Sequence, residues 1–343
     1  MNKEQLARSS ELTRISRKRE LTPEEQEERQ GLRAAYLAAN RADMTATLSN
    51  VSVVEKDGSV RPLTPKTKPS NKGGGVMLPA VRATIEAWYK KLAFPDEYDT
   101  EFYTYLDTVE IDPNVTAETY GEDADGAKNF LTYLYCCEEL KRRYEEKGID
   151  PSILHASLQE LWLWTRSRTN RAGKLWLADL WWVKKTLTMK LFRLGRLNFC
   201  MGEEEHDLPE RGLPKGTPIL EVHIPRAPSL KAEECEAALA QARTFFATYF
   251  PEFKYREMTC DSWLLDDRLL EILSPESNIL KFRALFDVVL QKPSDETLNY
   301  VLGRPTTREN VAEKEATTSL ARKVKELALS GAEFHEGYGI IRK

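Results

Sequence analysis

The sequence predicts an α+β protein with an N-terminal helical hairpin, a helical middle domain and a mixed α/β C-terminal domain. Two changes in pattern divide the chain. The run "TPKTKPSNKGGG" (64–75) combines proline, lysine and three glycines, a composition typical of a flexible linker. After Leu191 a continuous helical period gives way to alternating strand and helix patterns. The predicted parts are therefore 1–63, a linker at 64–77, 78–190 and 191–343.

Overall composition excludes several classes of protein. The 343 residues include 41% hydrophobic and 30% charged residues, as in ordinary globular proteins. The net charge of −4 argues against a protein that wraps nucleic acid. The start "MNKEQLARSSELTR" lacks the apolar core of a secretory signal, and no stretch is apolar enough to span a membrane. Five cysteines form neither a paired framework nor a C-x-x-C site, so we expect reduced thiols in a cytoplasmic protein.

The first segment has the start and spacing of two helices. Residues 3–19 are highly charged with a thin apolar stripe. In "LTPEEQ", Thr22 is predicted as an N-cap, Pro23 as the first helical residue, and Glu25 as the partner that completes a capping box. Apolar residues then recur at helical spacing at Leu32, Tyr36, Leu37, Met44 and Leu48. Two short helices bury little surface, so the hairpin is expected to be marginally stable alone.

Throughout the middle segment, apolar residues recur at helical spacing. The predicted helices cover 79–92, 98–107, 124–147, 151–167 and 172–190. Gly148 ends the third and Pro151 begins the fourth. Five tryptophans cluster in the last two helices, where they could either stack a ligand or fill the core.

The C-terminal segment alternates strands and helices. "LGRLNFCM" and "TPILEVHIP" are predicted as strands on either side of an acidic turn, "GEEEHDLPERGLPKG". A helix over 230–249 follows, and then strands at "YREMTCDSWLL", at the end of "SNILKFRALFDVVLQ", and at "EFHEGYGIIR". Alternating elements around an antiparallel hairpin predict a layered α/β or α+β domain.

Residues 6–65 resemble the small bacterial YnzC-like family of cytoplasmic helical-hairpin proteins. The shared features are Glu11–Leu12, "LTPEE", "LRAAYL" with Arg41 after it, and a final "DG…TP". Ser9, Gly31 and Asn40 depart from the family pattern. The resemblance implies a fold and no biochemical role.

Residues from about 80 to the C-terminus resemble a bacterial acyltransferase family. The pieces that carry the resemblance are "LFRLGRLNF", "LEVHIPRAPSL", "ALAQARTFFATYFPEF", "TCDSWLLDDRLLEIL", "SNILKF" and "SGAEFHEGYGII". In that family a helical N-acyltransferase N-terminal domain precedes a GNAT-like C-terminal domain. The resemblance implies a mixed sheet that opens to admit the pantetheine arm of acyl-CoA. It also implies acetyl-CoA or another acyl-CoA as co-substrate, and a small-molecule or peptide amine as acceptor.

Two residues are candidates for the chemistry. His223 lies between Val222 and Ile224 and could be a general base for an amine, or a half-buried histidine within the sheet. Tyr338 in "EFHEGYGII" could protonate the departing thiolate, or "GYG" could be a turn that enters the last strand.

Four further residues are candidates for substrate contacts: Trp263, Ser277, Asn278 and His335. Ser277 and Asn278 have the alternative role of capping a helix. Cys260 is expected to be a core thiol unless a partner lowers its pKa. No metal site is predicted, because "GEEEHD" has ligand residue types without ligand spacing and has the composition of a solvated hairpin tip.

One feature of the sequence weakens the case for catalysis. GNAT enzymes hold the pyrophosphate on a glycine-rich turn before a helix, whereas "APSLKAEECEAA" has no glycine and has Glu233 and Glu234 in its first turn. "RTNRAGK" (168–174) is a weak alternative phosphate site. Two hypotheses therefore remain: an acyl-CoA-dependent N-acyltransferase, and a catalytically silent GNAT-fold module whose hairpin docks a protein partner.

Overall fold

The computed structural model describes residues 77–123, 125–172, 175–177, 180–225 and 230–342, with backbone only for the last residues of 125–172. It also describes scattered positions before residue 63. The chain divides into two compact units, Met1–Gly74 and Gly75–Lys343. The predicted linker at 64–77 lies outside the described residues except for Met77.

The N-terminal unit contains the predicted capping box. The backbone N–H of Thr22 donates to Glu25 Oε2 at 3.0 Å, and the N–H of Glu25 donates to Thr22 Oγ1 at 3.3 Å. The described residues on both sides of this box are helical, and the Arg8 guanidinium donates to both carboxylate oxygens of Glu28 at 2.9 and 2.7 Å. Two short antiparallel strands follow, β1 (Ser52–Val54) and β2 (Val60–Pro62), which were not predicted from the sequence. The apolar positions predicted from Leu32 to Leu48 lie outside the described residues.

The second unit begins with helices whose bounds follow the predicted ones closely. They are α1 (Pro79–Lys91), α2 (Asp99–Thr108), α3 (Gly126–Lys147), α4 (Pro151–Ala172) and α5 (Leu180–Leu187). Gly148 ends α3 in the left-handed region at φ +67°, as its position predicted. The fifth helix is shorter than predicted, beginning at Leu180 rather than at residue 172.

A six-stranded mixed sheet forms the rest of the second unit, with strand order β3-β4-β5-β6-β8-β7. Its strands are β3 (Leu191–Leu194), β4 (Leu197–Glu203), β5 (Pro218–His223), β6 (Met258–Ser262), β7 (Phe286–Pro293) and β8 (His335–Ile341). Every pairing is antiparallel except that of β5 with β6. The strand predicted at "LGRLNFCM" is β4 from Leu197 onward. The prediction missed the turn at Gly195, with φ +57°, which makes a hairpin of β4 and the preceding β3.

Five helices connect the later strands: α6 (Ala232–Tyr249), α7 (Leu269–Ile272), α8 (Asn278–Arg283), α9 (Glu296–Leu302) and α10 (Ser319–Leu329). Phenylalanines of α6 and β3 pack at tilted and edge-to-face angles in the main core, which is continuous with the apolar faces of α1, α3 and α5. The described helices include none long and apolar enough to cross a bilayer.

Candidate active site

The sheet opens where its two parallel strands meet. β4 and β5 pair over six positions, from Glu203↔Pro218 to Asn198↔His223. By contrast, β5 and β6 pair only at Leu220↔Met258 and Glu221↔Thr259, although the strands continue to His223 and Ser262. A gap between the C-terminal ends of two parallel strands follows from this loss of pairing.

His223 lies at the edge of this gap with one ring nitrogen already engaged. Its side chain is 34% exposed, and Nε2 lies 3.2 Å from Glu221 Oε2. Burial raises the pKa of Glu221, but the hydrogen bond with His223 and the charge of Lys185 outweigh it and lower the pKa below its ordinary value. An ionised carboxylate can only accept a hydrogen bond, so Nε2 carries the proton and the lone pair of the neutral ring lies on Nδ1.

Helix α5 supplies an aromatic and basic wall beside this histidine. The Trp182 ring meets the His223 ring edge to face, with centroids 4.6 Å apart and an interplanar angle of 73°. Lys185 Nζ lies 3.8 Å from Glu221 Oε2 and 5.2 Å from the centre of the Trp182 ring. The neighbouring Trp181 is 64% exposed, which is unusual for so large an apolar side chain.

Gly202 on β4 makes room for the carboxylate that holds His223. A Cβ placed on this glycine would lie 2.2 Å from Glu221 Oε1, far inside van der Waals contact. Any side chain at this position would therefore displace the Glu221 carboxylate from its partner.

Across the gap, Asp261 and Tyr338 lie on the same face of the sheet as His223. Asp261 pairs directly with Tyr338, and continuing the β5–β6 register places Asp261 opposite His223. Neighbouring strands are about 4.8 Å apart, so His223 and Tyr338 stand at least about 10 Å apart with Asp261 between them. Burial raises the pKa of Asp261, although the charges of Lys292 and His206 act against this effect.

Tyr338 lies within strand β8, so the predicted turn at "GYG" is wrong. The flanking glycines permit close packing instead, since a Cβ at Gly337 would lie 2.6 Å from the backbone oxygen of Leu265. The Tyr338 hydroxyl donates to the carboxylate of Glu204, which is buried, and burial together with this bond raises the pKa of Tyr338. The segment "GEEEHD" is consequently not a fully solvated hairpin tip.

The remaining predicted contact residues lie in several places. Trp263 directly follows β6 and stacks on Tyr300 with centroids 5.7 Å apart. Ser277 caps α8, because its Oγ accepts the N–H of Leu280 at 3.3 Å, and Asn278 is the first helical residue. His335 begins β8, with Nδ1 3.9 Å from Asp266 Oδ1.

Cys260 is a core thiol, as expected. It is 1% exposed, and burial raises its pKa well above the ordinary value, so it is not a nucleophile at neutral pH.

The first turn of α6 carries less unbalanced negative charge than its sequence indicates. Glu234 Oε1 lies 3.4 Å from Lys231 Nζ, and the charge of Glu234 acts on the nearby guanidinium of Arg196. Arg196 belongs to the β3–β4 turn, and its Nη1 donates to the backbone oxygen of Pro225 at 3.0 Å. The side chains of the alternative segment at 168–174 lie outside the described residues. Within the described part of the chain, no group of three or more His, Cys, Asp or Glu residues could hold a metal ion.

Sequence reasoning missed Gly202, Asp261 and the charge balance around Arg196. Asp261 could have been found from alternation alone, because it is the exposed position between buried Cys260 and Ser262. The other two depend on contacts between strands and helices far apart in the chain.

Family models match three consecutive parts of the chain. Residues 4–66 match a bacterial family of proteins of unknown function, residues 78–189 match the N-acyltransferase N-terminal domain, and residues 191–341 match the GNAT-like C-terminal domain.

Curated relatives match the N-terminal segment. A UPF0291 protein of Lactobacillus johnsonii is 51% identical over 53 residues, which are 16% of this chain and 65% of that protein. The chain thus spans slightly less than two thirds of that relative. A UPF0291 protein of Bacillus licheniformis is 41% identical over 59 residues, covering 17% of this chain and 77% of the relative.

Solved structures of acyltransferases share the fold of the second unit. One, in complex with decanoyl-CoA and teicoplanin, is 20% identical with a TM-score of 0.60 and covers 81% of this chain and 91% of its own. Another, in complex with CoA and 10C-teicoplanin, is 24% identical with a TM-score of 0.54 over 63% of this chain and 67% of its own. At these identities the likeness establishes the fold alone. The chain thus belongs to the UPF0291 (YnzC-like) family through its first segment, and it continues as an N-acyltransferase N-terminal domain followed by a GNAT-like C-terminal domain.

Proposed function

We propose that the protein is an acyl-CoA-dependent N-acyltransferase that works at the gap between β5 and β6. The observation that carries the proposal is the early end of the parallel pairing at Glu221↔Thr259, beside a histidine whose Nδ1 lone pair is not used by Glu221. Strand polar groups that no neighbouring strand pairs would be available to the amide groups of a pantetheine arm. The acyltransferase structures that share this fold hold CoA, decanoyl-CoA or octanoyl-CoA.

In the proposed reaction His223 is the general base. The acceptor amine attacks the thioester carbonyl, and its N–H bond breaks as Nδ1 of His223 takes the proton. A C–N bond forms, the C–S bond breaks, and CoA leaves as a thiolate that is then protonated. The Glu221 carboxylate stabilises the imidazolium by accepting its Nε2–H, as the carboxylate of a catalytic triad does.

The predicted role of Tyr338 as the acid carries a structural condition. Its hydroxyl proton is donated to Glu204, so protonating the thiolate would require that this bond open. The imidazolium of His223 is the other source of the proton in the proposed site.

Charged residues on the two sides of the gap favour ligands of opposite charge. Lys231 and Arg196 flank the N-terminus of α6, where we propose that the CoA phosphates bind in place of a glycine-rich turn. On the other side, Asp261 is a partly buried carboxylate whose Oδ2 lies 3.8 Å from Lys292 Nζ, and we propose that it attracts the ammonium form of the acceptor. Contacts of Trp263, Ser277, Asn278 and His335 with substrate stay predictions.

The experiment that tests this function is a thermal-shift titration with acetyl-CoA, octanoyl-CoA and decanoyl-CoA. A ligand present at one hundred times its Kd and bound only by the native state adds about 2.7 kcal/mol. For a unit of this size that corresponds to a rise in Tm of about 5 to 10 °C. The variant His223→Gln is the matched control and should show the same shift, because a base contributes little to ground-state binding.

Release of thiol from the acyl-CoA that stabilises the protein, measured with a panel of amines, then identifies the acceptor class. Absence of any shift across the three acyl-CoAs would contradict the proposed function and favour a catalytically silent module.

A further inference from the structure

A buried carboxyl group of the helical region connects three separate elements directly behind the proposed base. Glu160 of α4 is 5% exposed. Its Oε1 accepts Nδ2–H of Asn198 on β4 at 2.7 Å. Its Oε2 accepts the indole N–H groups of Trp182 on α5 and Trp164 on α4, both at 3.3 Å. This carboxyl group has no role in the reaction described above.

Two of these three partners lie against His223. Asn198 is its direct cross-strand neighbour, so the two side chains share one face of the sheet. Trp182 places its ring edge to face against the imidazole at 4.6 Å. Glu160 therefore fixes two of the groups that determine how the imidazole is oriented.

The side-chain amide of Asn198 also has a buried oxygen without a hydrogen-bond donor in the described part of the chain. Asn198 is 2% exposed, and among the described residues its Oδ1 has no hydrogen-bond donor. The amide cannot rotate by 180° to satisfy this oxygen without losing the bond from Nδ2 to Glu160. A buried acceptor without a donor is unfavourable for folding, which indicates that this amide is kept for its place beside His223.

We propose that Glu160 is a positioning residue for the base. Through its hydrogen bonds to Asn198 and Trp182 it holds the His223 ring so that Nδ1 can take the proton of the acceptor amine. This inference rests on the proposed function only in taking His223 as the base. The N–H bond that breaks is on the amine, the bond that forms is on Nδ1, and no other atom changes its bonding in this step.

A substitution that keeps the size of Glu160 separates this role from simple packing. Glutamine has one carbonyl oxygen, so Glu160→Gln cannot accept from Asn198 on one side and the indoles on the other. Either the Asn198 amide or the indole pair must then lose its acceptor. The other charged groups facing His223 remain unchanged, namely Glu221, Lys185 and Asp261.

The positioning role of Glu160 is tested by two-dimensional NMR of the imidazole nitrogens over a range of pH, on protein labelled with ¹⁵N-histidine. The chain has only four histidines, so each signal can be assigned with one His→Gln variant. In the wild type we expect His223 as the tautomer protonated on Nε2. In Glu160→Gln the ring is no longer held against Glu221, so we expect averaged tautomer signals. Once an acceptor amine is identified, kcat of Glu160→Gln should be about tenfold below that of the wild type. The KM values for acyl-CoA and for the amine should both stay within about twofold.

Glu101→Gln is the matched control. Glu101 also accepts two bonds in the helical region, from the Tyr105 hydroxyl and from the Leu175 N–H, both at 2.5 Å. This variant should lower the melting temperature without moving the His223 signals. If Glu160→Gln does not fold, Asn198→Ala provides the same tautomer readout, because it removes the link between Glu160 and the cross-strand neighbour of His223 and leaves the carboxyl group in place.

Unchanged His223 tautomer signals in both Glu160→Gln and Asn198→Ala would overturn the inference. A change in those signals in a protein that transfers no acyl group to any amine would instead support the positioning role and contradict the proposed function.

Discussion

Two histidines of this protein lie beside carboxylates, and their surroundings differ in the property that matters for catalysis. His223 contacts Glu221 at the end of β5, where strand pairing has stopped. His335 contacts Asp266 at the start of β8, which pairs with β7 over seven positions. A histidine next to a carboxylate is thus insufficient to mark a site, and the interruption of the sheet is the more informative feature.

The two carboxylates also have different partners. Asp266 is fully buried and accepts the backbone N–H groups of His335 and Arg268, each at 2.9 Å. Those bonds join two chain segments, so a structural role is enough to account for the buried carboxylate of Asp266. Among the described residues, the carboxylate of Glu221 contacts the side chains of His223 and Lys185, and it needs the glycine at 202 to lie where it does. The comparison therefore favours the region of His223 over that of His335 as the place of the proposed chemistry.

The largest expected effect tests this comparison directly. His223→Gln should reduce acyl transfer about 100-fold, the usual contribution of a positioned base, whereas His335→Gln should change it less than about twofold. Turnover is measured as thiol release from the stabilising acyl-CoA with its identified amine, and melting temperatures report folding. Equal losses of turnover in the two variants would remove the distinction between the regions.

Most helix and strand positions were predictable from the sequence, and particular residues show why. Helix ends at Gly148 and Pro151, and the capping box at Thr22 and Glu25, depend on local interactions that residue type alone determines. The β3–β4 hairpin was missed because Gly195 lies inside an otherwise strand-like run. Gly195 should have been interpreted as a turn.

The candidate site was predictable only in part. His223 could be singled out because it is a titratable residue at a half-exposed position of an apolar strand. Gly202, Asn198 and Glu160 could not, since each acts through a partner at least 19 positions away in the sequence. No local pattern encodes a missing Cβ that makes room for a distant carboxylate.

A smaller loss of turnover is expected from Gly202→Ala, which tests the role of Glu221. The new Cβ would displace the end of a flexible glutamate side chain, so the fold should be retained. His223 would lose its Nε2–H acceptor, and we expect turnover to fall about tenfold, less than on loss of the base itself. Gly121→Ala is the control, because a Cβ there meets nothing within 4 Å. A Gly202→Ala enzyme with normal kcat would show that the Glu221 contact is dispensable.

The smallest expected effect concerns Asp261, the carboxylate proposed to attract the acceptor. Burial raises its pKa in the folded protein above the unfolded value of about 3.9, so the folded state binds a proton more tightly than the unfolded chain does. Stability must then fall as the pH rises from about 4 through the folded pKa, and the ionised carboxylate is unfavourable for folding at neutral pH.

Asp261→Asn removes this cost. Its melting temperature should match that of the wild type near pH 4 and exceed it by about 1 to 2 °C at pH 7.5, a small effect because solvent screens a half-exposed charge. Glu252→Gln, a carboxyl-to-amide change at an exposed position after α6, should show no such trend. A variant more stable than the wild type at neutral pH would mean that the native carboxylate is kept at the expense of stability, as functional groups commonly are. A variant less stable at every pH would instead assign Asp261 to its ion pair with Lys292, and the acceptor would need another anionic partner.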